Sequence, residues 1–408
     1  MMRVEEIKSG LGIKPLKYSI QETPHSTIET NMTCNMKCRC CYNLDRDIVK
    51  SLAEVKAEID LIVQKRKLQV ITLLGGEPTL HPHLGDIISY IKSKKLICQV
   101  LTNGVVFLDD KAGRCLDSIL GSGVDRIIFH IDIGQSHIHR DIDEARETLF
   151  SRLEEKNIHF GLSITIYNEY QEMIPRLIQK CSKYRFFGGI LAVLARNPFP
   201  PKIQNAQLYL EYKSLHGELD LEPTAYIPSN LDDRDISWLI YLYFINSKTG
   251  RTLSISPGLN RLLRRTYRLV RGHHAFVILV NPRFAAIAAF FTCLGEIFSN
   301  PRKISAIRKF IGDVSLLGGL RFHCIAIQTP PEYDEEKNEL RLCYHCPDAT
   351  IRNGLLTPVC LADKINPLDN KREADRNWSQ IVYSHLEELS GITAQAKNQS
   401  KPSSTIAK

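Results

Sequence analysis

Four cysteines fall within eight residues in Cys34-Asn35-Met36-Lys37-Cys38-Arg39-Cys40-Cys41, and Cys34, Cys38 and Cys41 stand in a C-x3-C-x2-C spacing. Three thiolates on one short loop can wrap three irons of a cubane cluster. The fourth iron is then left without a protein ligand, open to a small molecule that is to be activated there. A structural zinc site is the competing reading. Such sites use four ligands in two paired knuckles, and no pair partner lies nearby in sequence. Cys40 falls outside the spacing and reads as a bystander. A second group, Cys343, Cys346 and Cys360, has the spacing C-x2-C-x13-C. Asn353-Gly354 between its members signals a hairpin that returns the third cysteine to the first two. A zinc knuckle is the alternative here too. Of the remaining cysteines, Cys98 and Cys181 sit in apolar or helical contexts, where a free cysteine is a small buried hydrophobe.

These side chains need elements to hold them. The first half repeats strand then helix. Spacing and apolar runs predict strands over 27–33, 69–74, 97–101, 126–132, 158–166 and 187–195. Helices are predicted over 47–66 and 84–94, with Ile48, Leu52, Val55, Ile59, Ile62 and Val63 on the face of the first. A strand start about every 30 residues is the length of a βα unit. Six units give a parallel sheet curled as a partial (β/α)6, TIM-like barrel of the α/β class, with its chemistry at the C-terminal strand edges.

The candidate residues lie at those edges. The second strand ends in Gly75-Gly76-Glu77-Pro78. Its glycines let backbone approach a ligand closely, Glu77 offers an acceptor to an ammonium group, and Pro78 fixes the turn. The third strand ends in Thr102-Asn103-Gly104 and the fourth in His130-Ile131-Asp132-Ile133-Gly134-Gln135. His130 and Asp132 alternate with apolar residues and share one face. His130 reads equally as a satisfied core histidine. Asn168 ends the fifth strand and is also placed to cap the next helix.

The C-x3-C-x2-C loop, the Gly-Gly-Glu-Pro strand end and the Thr-Asn-Gly strand end together resemble the radical S-adenosylmethionine (SAM) superfamily, over residues 27 to 200. The resemblance implies a [4Fe–4S] cluster on Cys34, Cys38 and Cys41 whose open iron chelates SAM. It implies that Gly75, Gly76, Glu77 and Pro78 meet the methionine end of SAM, with Asp132 and Gln135 either at the SAM ribose or facing substrate, and Asn168 as a lesser candidate for SAM. One electron, from a donor such as a flavodoxin or ferredoxin, then splits SAM to a 5′-deoxyadenosyl radical that takes hydrogen from substrate. The family's aromatic residue before the third cysteine is Cys40 here, with Tyr42 just after.

The second cysteine group resembles the auxiliary cluster region of the GTP cyclase of molybdopterin synthesis, and the twitch-type subdomain generally. That implies a second [4Fe–4S] cluster on Cys343, Cys346 and Cys360, with Cys324, Cys293 and His345 as candidates for a fourth ligand. The chain departs from that cyclase in lacking its C-terminal pair of glycines and in a longer region before the second group.

Composition is that of a soluble globular chain, 43% hydrophobic and 24% charged. No run of 18 apolar residues suggests a spanning helix, and the start of the chain lacks the apolar core of a signal peptide. These features suggest a cytoplasmic protein, where clustered cysteines are metal ligands rather than disulfides. The net charge of +8 is local: 251–312 holds eleven Lys/Arg against one acid, Glu296, a balance of +10 that leaves about −2 (8 − 10) elsewhere. Within it, 259–271 predicts a basic amphipathic helix, with Leu259, Leu262, Leu263, Tyr267 and Val270 on one face and five arginines around it. Three readings stand: a core-facing helix with a solvated basic face, peripheral binding to anionic membrane, and nucleic-acid binding. The last is weakest, because a clean apolar face beside the apolar run 284–294 suits lipid better than phosphate alone. The membrane reading carries a lipid-like substrate with it. The implied organisation is an N-terminal arm (1–26), the barrel (27–200), a mostly helical basic and apolar insertion (201–340), the auxiliary cluster subdomain (341–370) and a C-terminal helix and tail (371–408). Other readings of function are modification of a peptide or small biosynthetic precursor, and a non-catalytic iron–sulfur or zinc scaffold.

Overall fold

The computed structural model describes residues 12–38, 41–43, 47–110, 113–132, 142–167, 173–195, 201–299, 303–312, 319–334 and 339–364, together with Glu5, Ile7 and Gln135. The strands of the first half are β1 (His25–Glu29), β2 (Val70–Leu74), β3 (Ile97–Thr102), β4 (Arg126–Ile131), β5 (His159–Ile166) and β6 (Phe187–Leu194). They pair in chain order, all parallel. Their helices are α1 (Leu52–Lys65), α2 (Leu84–Ser93), α3 (Val105–Asp109), α4 (Arg114–Gly121), α5 (Ile142–Glu155) and α6 (Met173–Cys181). The six expected strands are present within two residues at most ends.

The first helix starts later than its apolar spacing suggested. Ser51 caps it, accepting from the Glu54 amide while the Glu54 carboxylate accepts from the Ser51 amide at 2.6 Å. This reciprocal pair fixes the start more sharply than apolar spacing can. Ile48 instead precedes the helix, and its carbonyl receives the Met32 amide at 2.7 Å.

The second half holds α7 (Pro201–Leu219), β7 (Ala225–Pro228), β8 (Ile236–Asn246), β9 (Thr252–Ser254), α8 (Pro257–Arg271), α9 (Ala285–Ser299), α10 (Ile304–Gly312) and β10 (Leu320–Gln328). The stretch read as mostly helical thus also supplies strands. β10 lies parallel to β6, β8 antiparallel to β10, and both β7 and β9 antiparallel to β8, so the sheet reaches ten strands. β8 is buried at every position. Its Tyr241, Tyr243 and Ile245 join the main core, while Ile240, Leu242 and Phe244 join a second core with α8 to α10. Burial on both faces removes the alternation by which a strand is recognised in sequence. β8 and β10 pair in unbroken register back to Asn246 opposite Leu320. The Ser247 amide donates to the Gly319 carbonyl at 2.7 Å, so the chain between them leaves and re-enters at one point.

The remaining strands are β11 (Glu332–Asp334), β12 (Glu339–Arg341), β13 (Ala349–Arg352) and β14 (Leu355–Pro358). β13 and β14 form the expected hairpin, with Asn353 at φ 49° and Gly354 at φ 77° in its two-residue turn. Residues 342–352 link the two ends of the sheet. Cys343 bridges to Ser229 beyond β7, and the Tyr344 amide donates to the Pro228 carbonyl. On the other side the buried Arg66 donates to the carbonyls of Cys346 (3.0 Å) and His25 (2.8 Å), and Arg352 pairs with Glu29 of β1 at 2.7 Å. No helix among the described residues is long and apolar enough to cross a membrane.

Candidate functional site

The glycine pair after β2 is shaped by the cysteine loop itself. A Cβ on Gly75 would overlap the Asn31 carbonyl oxygen, and one on Gly76 the Thr33 carbonyl oxygen. Gly75 also sits at φ 142°, a value that strongly favours glycine. In the space so cleared the Gly76 amide donates to Asn31 O (2.7 Å) and the Glu77 amide to Thr33 O (2.8 Å). The Asn31 side chain closes the clasp by donating to the Glu77 carbonyl. The glycines therefore let the start of the Cys34–Cys41 loop lie directly on the second strand end.

Glu77 is buried and its carboxylate is engaged. Oε1 accepts from Thr102 Oγ1 (2.7 Å), Thr79 Oγ1 (2.6 Å) and the Thr79 amide, and Oε2 accepts from the Asn103 amide (2.7 Å). Burial raises its pKa while these donors oppose the rise. The carboxylate thus ties the β2 and β3 edges together. Asn103 extends the tie, donating to Asn35 Oδ1 of the cysteine loop at 2.7 Å.

Asp132 and Gln135 lie beside the same loop. The Asp132 amide donates to Gln135 Oε1, and Gln135 Nε2 approaches Cys38 Sγ at 3.6 Å. Arg146 of α5, almost fully buried, donates to Gln135 Oε1 (2.8 Å) and to the carbonyls of Asn103 and His130. Ligand atoms of Cys38, His130 and Asp132 lie within 4.8 Å of one another. Burial pushes the Cys38 thiol up to about 12, and burial with the Arg146 charge pushes His130 down to about 4. Cys38 also feels the charges of Cys41 and Cys34, which places the three thiols together. Asn168 and Cys40 lie outside the described residues.

Cys343, Cys346 and Cys360 also converge. Cys343 accepts from Trp238 Nε1 at 3.1 Å. The Cys346 thiol donates to it, and with Trp238 and Gln328 lowers its pKa against the opposing effect of burial. Cys346 is raised, by that same contact, by burial and by Cys343 and Cys360. Of the candidates for a fourth ligand, Cys293 lies on α9 in the second core and Cys324 on β10 faces a different cavity. His345 stands between the two cysteines at φ 45°.

The two groups open on one cavity of about 250 Å³. Cys34, Cys38 and Cys41 of the first group and Cys346 and Cys360 of the second line it, together with Gly75, Gly76, Glu77, His130 and Asp132. Pro78, Gln135 and Cys343 are not among its lining residues. Three soft sulfur donors on an open loop suit an iron–sulfur cluster, and the three-sulfur donor set of the second group suits one as well. Sequence reasoning missed Arg146, although its signal was present: Ile142, Arg146, Leu149 and Leu153 recur at helical spacing on a buried face. It also missed Trp238 and Arg352, whose partners are distant in sequence.

Residues 28–181 match the radical SAM superfamily. The tungsten-containing aldehyde ferredoxin oxidoreductase cofactor-modifying protein of Pyrococcus furiosus is 23% identical over 48% of this chain and 56% of its own length. The pre-heme d1 synthase of Dinoroseobacter shibae is 27% identical over 39% and 41%, and the GTP 3′,8-cyclase of Syntrophomonas wolfei 30% identical over 30% and 40%. The chain spans about half the length of the curated relatives it matches. Among solved structures, Streptococcus suis SuiB bound to S-adenosylmethionine aligns with TM-score 0.39 and 14% identity, over 50% of this chain and 48% of that one.

Proposed function

We propose, from the premise that this chain is an enzyme carrying a radical SAM domain over residues 28–181, that it abstracts hydrogen from a substrate held between two iron–sulfur clusters. The observation that supports this reading is the shared cavity, which cysteines of both groups line. Cys34, Cys38 and Cys41 would hold the SAM cluster, and Cys343, Cys346 and Cys360 the second one. When bound, cluster and SAM together supply the 5′-deoxyadenosyl radical. The protein supplies position and shielding. The glycine clasp fixes the loop; the backbone carbonyls of Gly75, which accepts from the Tyr42 hydroxyl at 3.5 Å, and of Gly76 would meet the methionine end, and the Asp132 carboxylate the ribose end. Glu77 acts mainly by holding the β2 and β3 edges in register. The measurement is 5′-deoxyadenosine release after anaerobic reconstitution with iron and sulfide, then addition of SAM and dithionite. Wild type is expected to release it and a Cys34→Ala/Cys38→Ala/Cys41→Ala variant to lose release to background. Silence from fully clustered wild type, with candidate lipid extracts added, would favour a scaffold. Iron content settles the second group: changing Cys343, Cys346 and Cys360 to Ala lowers bound iron by half if they hold a cluster, and only bound zinc if they do not.

The substrate reading is lipid-like. It is supported by the apolar residues Leu74, Leu101, Leu191, Val193 and Val359 among the cavity walls, and by an unpacked face on α8 and α9. Leu262, Leu269, Val270, Phe290, Phe291 and Phe298 are all more than half exposed there. Arg261, Arg265 and Arg271 stand exposed beside them. Arginines rimming a continuous apolar face fit an anionic bilayer surface. Wild type is expected to sediment with anionic liposomes. Changing the exposed Arg261, Arg265 and Arg271 to Gln should abolish this, and no sedimentation of wild type removes the membrane contact.

A further inference from the structure

The base of the barrel contains a second cavity, of about 140 Å³, which shares Leu74, Leu101, Leu191 and Asp348 with the upper one. Residues 126, 128, 130 and 132 share the inward face of β4 and its end. Arg126 and Ile128 line the lower cavity, His130 and Asp132 the upper. At about 3.3 Å per residue, Arg126 stands about 20 Å from Asp132.

The Arg126 guanidinium donates to Gln99 Oε1 at 3.3 Å, and its Nε is buried without a hydrogen-bond partner. No carboxylate among the described residues pairs with it, and burial lowers its pKa with only Cys324 opposing that effect electrostatically. Gly161 and Gly188 clear the space it occupies: a Cβ on Gly161 would overlap Nη2, and one on Gly188 would press it at 3.4 Å. The strands slip register here, between Phe160 and Leu162. A second guanidinium reaches the same cavity from α8. Arg264 donates to Asn260 Oδ1 (3.0 Å), Ala275 O (2.8 Å) and Tyr18 OH (3.3 Å). It too has no carboxylate partner among the described residues. Cys324 lies within the field of both cations. Asp348, on the cavity wall, faces His25 Nδ1 at 3.0 Å. A desolvated guanidinium without a counter-charge is costly unless an anion joins it, and its planar fork matches a carboxylate or phosphate.

We propose that Arg126 and Arg264 form an anion subsite at the base of the barrel that holds the carboxylate or phosphate end of an elongated, mainly apolar substrate. The apolar layer at Leu74, Leu101 and Leu191 carries its middle, and its reacting carbon lies in the upper cavity. The inference rests on the reading of that upper cavity as the reaction chamber, and it names the substrate class.

The test is calorimetric titration of the iron-loaded, SAM-bound enzyme, anaerobically, with dodecanoate, dodecyl phosphate, dodecylamine and inorganic phosphate below micellar concentrations. The alkyl anions are expected to bind at least ten-fold tighter than the amine or inorganic phosphate, and the tighter of the two identifies the head group. Arg126→Met should weaken both anions at least ten-fold with iron content and SAM binding unchanged. Its melting temperature without ligand should be at or above wild type, since a lone buried charge is gone. Arg126→Lys, which keeps the charge and loses the fork, should fall between. The subsite is overturned if Arg126→Met or Arg126→Lys binds the alkyl anions as wild type does, which would mark adsorption to the α8 and α9 face. It is equally overturned if the amine binds as tightly as the anions, or inorganic phosphate as tightly as dodecyl phosphate. Arg126-dependent binding without any 5′-deoxyadenosine release would keep the subsite and remove the radical chemistry. Release without such binding would do the reverse.

Discussion

The two cysteine-bearing segments face one cavity but are held by different balances of backbone and side-chain contact. The Cys34–Cys41 loop is positioned by backbone contacts with the neighbouring strand end, through Gly75 and Gly76. Its three thiols are half-exposed. The Cys343–Cys360 segment is held by backbone contacts at Pro228 and Ser229 and, in addition, by buried side chains from distant elements, namely Arg66, Glu29 and Trp238, and two of its thiols are buried. A backbone clasp positions the loop while its three thiols stay half-exposed. A segment locked by buried side chains is also part of what holds the ends of the sheet together. The first arrangement suits chemistry that needs an open coordination position, the second a fixed part of the same cavity's lining.

The sharpest way to break the contrast is Gly76→Ala. Its Cβ cannot coexist with the Thr33 carbonyl, so the loop must shift, and 5′-deoxyadenosine release should fall at least about 100-fold, the scale of a misplaced reacting group. Arg352→Met probes the other segment. It leaves the fully buried Glu29 carboxylate without its 2.7 Å partner. Urea unfolding should show a loss of about 3–5 kcal/mol, with little change in iron bound by Cys34, Cys38 and Cys41 in the folded protein. Trp238→Phe removes one donor from Cys343 and should cost about 2 kcal/mol or less, read by the same unfolding curve. Gly354→Ala should cost least, about 1 kcal/mol: the turn requires φ 77°, but nothing lies within 4 Å of the added methyl. Equal damage from Gly76→Ala and Gly354→Ala would erase the distinction.

The parallel half was legible because each βα unit announces itself locally: a short Val/Ile-rich run, a polar or glycine-rich edge, an amphipathic helix. The shared face of His130 and Asp132 was legible for the same reason, and two further steps back along that face reach Arg126. Long-range partnerships were not legible. Nothing near Arg352 in sequence signals Glu29, and nothing in the apolar run 236–246 says that its two faces belong to different cores. The engaged state of the Glu77 carboxylate was hidden as well, since it depends on the fold bringing Thr102 and Asn103 alongside. On α8 the apolar stripe was evident, but whether it packs is a tertiary fact. Leu259 is buried whereas Leu262 and Val270 are not.

The register of β8 with β10 has a consequence for how this chain can change. Because Ser247 and Gly319 sit side by side, everything between them is, in polymer terms, a single closed loop on a two-strand stem. The closure entropy of such a loop grows only logarithmically, by about 0.6 kcal/mol for each doubling of its length. By closure entropy alone, then, length added at the outward ends of α8 and α9 costs the β8–β10 stem little, whereas the parts of the loop that cover β8 and bring Arg264 to the lower cavity are tied to the core and cannot be exchanged so freely.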